Sequence, residues 1–294
     1  MTTCMNDNTF TKTIDHDLSD REFQRLSDFI YTECGIKMPP AKKIMLSSRL
    51  QKRVRKLQMS SVSEYCNYLF SPQGMENEVI HMIDVVTTNK TDFFREPKHF
   101  NYLVQKALPA LLSGKMYGIR NKLMVWSAGC STGEEPYTLA IVLKEFAETF
   151  PEHKLAYLIL ATDISTTVLQ KAKLAVYVDE RVEPIPDNLK SKYLLRGKDK
   201  KKGLVRMASE LRDSVKFRRL NFIDDDFGMR EPLDIIFCRN VIIYFDRATQ
   251  EKVLNRFCSH LNPGGYVFLG HSESIHGLNV NLVQVAPTIY RKPT

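Results

Sequence analysis

The strongest constraint on this chain is a change of rhythm at Lys122. Beyond it, short apolar runs alternate with amphipathic stretches. Leu123–Ser127, Tyr157–Thr162, Val215–Leu220, Asp234–Cys238 and Tyr266–Gly270 read as strands. Helical periodicity fills Glu134–Thr149, Thr166–Leu174 and Ala248–Leu261 between them. Strands of this length separated by helices predict a doubly wound α/β sheet. Leu282–Tyr290 reads as a last strand, at an antiparallel edge.

Before Lys122 the pattern is helical. Ser19-Asp-Arg-Glu22 is a capping box, with Phe23, Leu26 and Ile30 on one face and Gly35 as the stop. Pro39-Pro40 opens a second helix with Met45, Leu50, Val54 and Leu57 as its stripe. Ser61 caps a third, Met75–Val86 forms a fourth, and Pro97 starts a fifth. Ser113–Gly118 reads as a linker.

Composition narrows the setting. No apolar run reaches the roughly 20 residues that span a bilayer. Met1–Asp20 lacks the basic-then-apolar order of a secretory signal. The six cysteines are scattered without a C-x-x-C pair, and the seven histidines lack metal spacing. We therefore expect a cytoplasmic protein with no metal. The net charge of +8 favours an anionic partner without choosing among nucleic acid, lipid and acidic protein.

The first strand of the α/β half runs into Trp126-Ser-Ala-Gly-Cys-Ser-Thr-Gly-Glu-Glu-Pro136. Gly129 and Gly133 allow a sharp turn and close approach to a ligand, where doubly wound folds bind nucleotides. Glu134 and Glu135 occupy the helix end that a phosphate would need. They suit a cationic, phosphate-free nucleotide such as S-adenosylmethionine, or they merely complement the helix dipole. Asp163, ending the next strand, is placed for ribose hydroxyls, for a helix cap, or for both. Phe237–Phe245 carries Asn240 and Tyr244 to the carboxyl edge of the sheet.

Together these stretches resemble the CheR family of chemotaxis receptor glutamate methyltransferases. Three segments carry the resemblance: Thr87-Thr-Asn-Lys-Thr-Asp-Phe-Phe-Arg-Glu96, Trp126–Tyr137 and Phe237–Phe245. It implies a class I S-adenosylmethionine-dependent methyltransferase domain over 122–294, with a small inserted β-subdomain at about 176–214. An all-α domain would cover 18–112, after a flexible segment 1–17, with a linker at 113–121. The cofactor would lie between the domains. The resemblance assigns Asn89, Thr91, Arg95, Gly129, Glu135, Asp163, Asn221, Phe222, Cys238, Arg239 and Asn240 to the cofactor. Cys130 departs slightly from the family pattern, since a smaller residue is usual there.

The implied reaction yields glutamyl methyl esters and S-adenosylhomocysteine. A glutamate carboxylate, with a pKa near 4.3, is already an anion at neutral pH and needs no general base. Arg95 and Tyr244 are the expected catalytic residues, Arg95 steering the carboxylate and Tyr244 orienting an oxygen with its hydroxyl or shaping the methyl channel. Between Lys42 and Lys56 there are seven basic residues and no acid. Arg49, Lys52, Arg53 and Lys56 share a helical face by spacing. By resemblance this face reads the acidic methylation helices of receptors. Lys198–Lys202 reads as a hairpin tip, in a subdomain that in some relatives pairs with a receptor tail peptide. Asp224-Asp-Asp226 reads as a surface turn. We expect a monomer that neither binds nucleic acid nor inserts into membranes. The alternatives are a methyltransferase of nucleic acid or another protein, and a non-catalytic adaptor that holds the cofactor.

Overall fold

A computed structural model describes residues 18–113, 122–197 and 203–294. The expected flexible segment 1–17, most of the expected linker and the basic turn Lys198–Lys202 lie outside the described residues. The chain divides into two compact units, one of residues up to Thr32 with Met38–Thr87, the other of Glu33–Lys37 with Thr88–Thr294. The boundary therefore falls near Thr87, not at Leu112. The reason is burial: on the helical stretch 97–112, Phe100, Leu103, Ala107 and Leu108 enter the same core as Leu123, Val125 and Phe237. Within that stretch Leu103–Ala107 is π-helical, just before Pro109, whose ring nitrogen cannot donate to the helix.

The smaller unit holds the helix Asp20–Cys34 as far as Thr32, and the helices Lys43–Lys56, Val62–Leu69, Pro72–Asn77 and Val79–Val86. The capping box closes as expected, Ser19 N–H donating to Glu22 Oε2 (2.9 Å) and Glu22 N–H to Ser19 Oγ (3.2 Å). The expected fourth helix is broken in two at Glu78. That break turns a carboxylate inward. Glu78 is buried and accepts from Arg53 Nε (2.6 Å), Arg53 Nη2 (2.8 Å) and the Tyr65 hydroxyl (3.0 Å).

This corrects the basic face. Arg53 is 6% exposed and serves the unit's interior, since a buried guanidinium must be paired. Arg49 is half-buried and donates to the carbonyls of Val86 and Thr87. The exposed cations of this helix are Lys52, Arg55 and Lys56.

In the larger unit seven strands form one sheet: β1 (Leu123–Ala128), β2 (Tyr157–Asp163), β6 (Val215–Arg219), β7 (Leu233–Cys238), β8 (Leu261–Leu269), β9 (Val283–Ala286) and β10 (Ile289–Arg291). Their order is β6-β2-β1-β7-β8-β10-β9. The first five run parallel; β10 and β9 add an antiparallel hairpin where a single last strand was expected. Both faces of the sheet are covered. Val125, Ile235 and Phe237 point into one core, and Trp126, Ile236 and Cys238 into the other. A second sheet of β3 (Val176–Val178), β5 (Leu204–Met207) and β4 (Leu194–Arg196) forms the expected insertion between β2 and β6. No described helix is long and apolar enough to cross a membrane.

Replacing Glu78 by Gln strands the Arg53 charge. Removing one partner of a buried pair costs about 3–5 kcal/mol. Urea unfolding followed by circular dichroism should show a loss of that order for Glu78→Gln, and almost none for Lys56→Ala.

Candidate active site

The chain leaves β1, passes outward through β2 to β6, and then crosses back to β7 on the other side of β1. Loops after β1 and β7 therefore face each other at a topological switch point, where open α/β sheets bind ligands. Contact there is close. Gly129 has φ +85°, and a Cβ on it would lie 2.5 Å from Val241 Cγ2. Gly133 has φ +98°, with the Tyr177 hydroxyl and Ala172 against it. Both positions therefore need glycine, for backbone conformation and for space.

The glycine loop is pinned by its neighbours. Gly129 and Cys130 N–H groups each donate to the Thr162 carbonyl at 2.8 Å. Asp163 Oδ2 accepts from Ser131 N–H (2.8 Å), and Asp163 Oδ1 from Ser165 N–H (2.9 Å). Ser165 caps the helix Thr166–Leu174. The cap role expected of Asp163 thus falls to Ser165, and the Asp163 carboxylate ties the main chain of that cap residue to the glycine loop. The Ser131 hydroxyl donates to the Asn89 carbonyl at 2.8 Å, bringing segment 89–96 against the loop. Burial pushes the Cys130 thiol well above its usual range, so it is an inert space-filler here.

The two glutamates are not bare. Glu135 Oε1 accepts from the Ser127 hydroxyl (2.7 Å) and Oε2 from Arg239 Nε (2.7 Å). Glu134 accepts from the Thr132 hydroxyl and from Arg181, which also donates to the Thr91 carbonyl (2.6 Å) and Asp92 (3.1 Å). Each acid has its own arginine, so the helix end presents two ion pairs. The electrostatic reason for a cationic ligand is correspondingly weaker than the sequence implied.

Arg239 does more than pair with Glu135. Its Nη1 donates to the Arg95 carbonyl and lies 3.7 Å from Glu96 Oε2, and its guanidinium faces the Phe100 and Phe237 rings. Arg95 itself is half-buried and reaches the Lys90 carbonyl at 3.2 Å. Glu96, His99 and His271 bring side-chain ligand atoms within 4.8 Å of one another. The adjacent Arg239 already supplies that carboxylate with positive charge. Desolvation, with Arg239 nearby, pushes His99 down to about 3, so its imidazole is neutral.

After β7 the chain turns through Asn240, at φ +60°, into the short helix Ile242–Tyr244. Among the described residues, Asn240 Oδ1 is buried without a partner. Tyr244 is half-buried, and its carbonyl accepts from Lys37 N–H at 2.9 Å.

Other expected contacts are otherwise engaged. Asn221 Nδ2 donates to the Glu33 carbonyl (2.6 Å) and its Oδ1 accepts from Ile223 N–H (3.3 Å). Phe222 is buried among Trp126, Phe245 and Phe257. Cys238 is fully buried in the core, leaving only its backbone to the site. Sequence reasoning missed Glu273, whose carboxylate gathers the turn after β7. An acid three residues past Gly270, at the carboxyl end of β8, was the available signal. It also missed Arg181, which had none, because its partner lies 47 residues away.

Comparison with known proteins decides the family. The model described as CheR methyltransferase, SAM binding domain, matches residues 89–290, and its all-alpha domain matches 21–87. The chain belongs to the CheR methyltransferase family. The junction of the two matches coincides with the boundary near Thr87. A chemotaxis protein methyltransferase of Borreliella burgdorferi is 38% identical over 98% of this chain and all of that protein. One from Escherichia coli is 38% identical over 93% of this chain and 91% of its own length. Chemotaxis protein methyltransferase 2 of Pseudomonas aeruginosa is 38% identical over 92% of each.

S-adenosylmethionine is accordingly the cofactor of the larger unit. The residues present fit it. Gly129 and Gly133 let the loop backbone turn tightly against Val241 and Tyr177, and among the described residues the buried Asn240 Oδ1 lacks a donor, which an ammonium group could supply. In Gly129→Ala the methyl would strike Val241 in a left-handed backbone. We expect calorimetry with S-adenosylhomocysteine to show affinity lower by about tenfold or more, from roughly 1–3 kcal/mol of strain.

Proposed function

We propose that this chain methylates glutamate side chains of chemotaxis receptors, forming methyl esters in the cytoplasm. The observation that carries the reading is a likeness running nearly end to end to chemotaxis protein methyltransferases. Cys34, Cys66, Cys130, Cys238 and Cys258 are buried, and among the described residues no disulfide joins them, which agrees with a reducing compartment.

When bound, S-adenosylmethionine supplies a methyl carbon made electrophilic by its sulfonium. A substrate carboxylate oxygen would take that methyl in one displacement, with the electron pair of the C–S bond left on sulfur. No proton moves, because the carboxylate is ionised at neutral pH. The protein's contribution is therefore position, which can supply roughly 7–11 kcal/mol at best. His99 is buried and held by Thr288, so it is no base for an incoming substrate.

Arg95 is the proposed group that aligns the substrate carboxylate. Arg239 fixes its main chain, while its guanidinium remains half-exposed. Tyr244 is the proposed wall of the methyl channel. In the cofactor site we assign direct contacts to Asn89, Thr91, Gly129, Glu135, Asp163 and Asn240, and backbone contacts to Asn221 and Cys238. The exposed Lys52, Arg55 and Lys56 offer a positive face to the acidic methylation helices of a receptor. Such a face steers encounter and makes it salt-sensitive. We propose a monomer as the acting form.

Two outcomes test this. Arg95→Ala should lose most methyl transfer to receptor membranes, at least about 100-fold if it aligns the reacting oxygen, while keeping much of its cofactor affinity by calorimetry. Lys52→Glu with Lys56→Glu should slow receptor methylation at low salt and flatten its salt dependence. Mass spectrometry of the receptors should place the methyl on glutamate; methylated nucleic acid instead would overturn the reading.

A further inference from the structure

Glu273 sits in the loop after β8, and its carboxylate is held by backbone alone. It accepts from Gly270 N–H (2.6 Å), Asn240 N–H (2.8 Å), Val241 N–H (2.8 Å) and Ile243 N–H (3.3 Å). Three of these four donors belong to the turn after β7. Glu273 is only 4% exposed, and among the described residues no cation pairs with it. Burial pushes its carboxyl up, and the amide donors pull it back. A buried carboxylate with no cation and four converging amides is a staple: the charge satisfies donors that would otherwise be stranded.

What the staple holds is a strained turn. Asn240 adopts φ +60°, a conformation that most residues avoid. Gly270 backs onto its side chain, and a Cβ there would lie 2.6 Å from Asn240 Nδ2 and 2.8 Å from Asn240 N. The amide end of Asn240 is thus packed, while Oδ1 is buried and finds no partner among the described residues. Leaving a buried acceptor empty is costly, and folding alone does not require it.

We propose that Glu273 is a positioning residue: its carboxylate locks the Asn240–Ile243 turn so that Asn240 Oδ1 is offered to a donor on the cofactor. The assignment rests on the methyltransferase reading. Glu273 acts through Asn240 and touches neither cofactor nor substrate.

The test is S-adenosylhomocysteine binding by calorimetry on the full chain. Glu273→Ala should weaken binding by about tenfold or more, and Asn240→Ala by a similar factor. The double variant should bind no worse than either single one, because both remove the same contact. Acetate replaces the atoms lost in Glu273→Ala, so it should restore much of the affinity; chloride at equal ionic strength should not. A merely structural role would not produce this anion-specific rescue. Wild-type affinity in Glu273→Ala, strictly additive losses, or a folded variant that acetate leaves unrescued would each overturn the proposal. If Glu273→Ala does not fold, Glu273→Gln, which keeps the volume and one acceptor, enters the same cycle with the same criterion. Wild-type protein that fails to bind S-adenosylhomocysteine would instead overturn the methyltransferase reading itself.

Discussion

One buried guanidinium ties the site together. Arg239 leaves the end of β7, pairs with Glu135 at the start of the helix after β1, and holds the Arg95 carbonyl of segment 89–96. Those three stretches lie far apart in sequence and share no backbone ladder at this point. A buried arginine cannot be left unpaired without a cost of several kcal/mol. The pair is therefore directional: it permits one arrangement of the three stretches and penalises others. Glu135, with its second oxygen held by Ser127, becomes a fixed post. Arg95 inherits its backbone position from the same contact.

A second arginine repeats the device on the neighbouring glutamate. Arg181 follows β3 and joins the inserted subdomain to Glu134 and to Thr91. The Tyr177 hydroxyl adds a bond from β3 to the Thr132 carbonyl in the glycine loop, at 2.8 Å. The small sheet is thus fastened directly to the cofactor loop. The two pairs also revise how the ligand is chosen. Unpaired acids would select a cation by charge. Paired acids contribute shape, hydrogen-bond acceptors and a neutral balance, with the glycines allowing the loop its tight left-handed turns.

The chemistry asks little of side-chain acid–base groups, and the construction agrees. In the proposed reaction on a carboxylate, the nucleophile arrives ionised and the leaving group departs neutral. What remains is alignment in a place poor in water, and the site is accordingly built from main-chain geometry: two glycines at positive φ, an asparagine at positive φ, and carboxylates that collect amide donors. Strain of this sort persists only where surrounding contacts over-determine it. Asp163 and Glu273 supply such contacts on either side of the switch point.

The sequence by itself determined the α/β half, the glycine loop and the capped first helix. Each of these is a local matter: alternation, cap chemistry and positive-φ glycines are written within a dozen residues. It also carried the family, through Thr87–Glu96, Trp126–Tyr137 and Phe237–Phe245. Only the tertiary structure decided that the helical stretch 97–112 belongs to the sheet's core. Only it showed that Arg53 turns inward to Glu78 while Lys52 and Lys56 face out, that Asn221 spends its amide on Glu33, and that Glu273 staples the turn at Asn240. Helical spacing gives Arg53 and Lys56 the same face, but it cannot register a buried carboxylate 25 residues away. Charge pairs and buried amides are settled by which groups lose water together, and that depends on packing between distant segments.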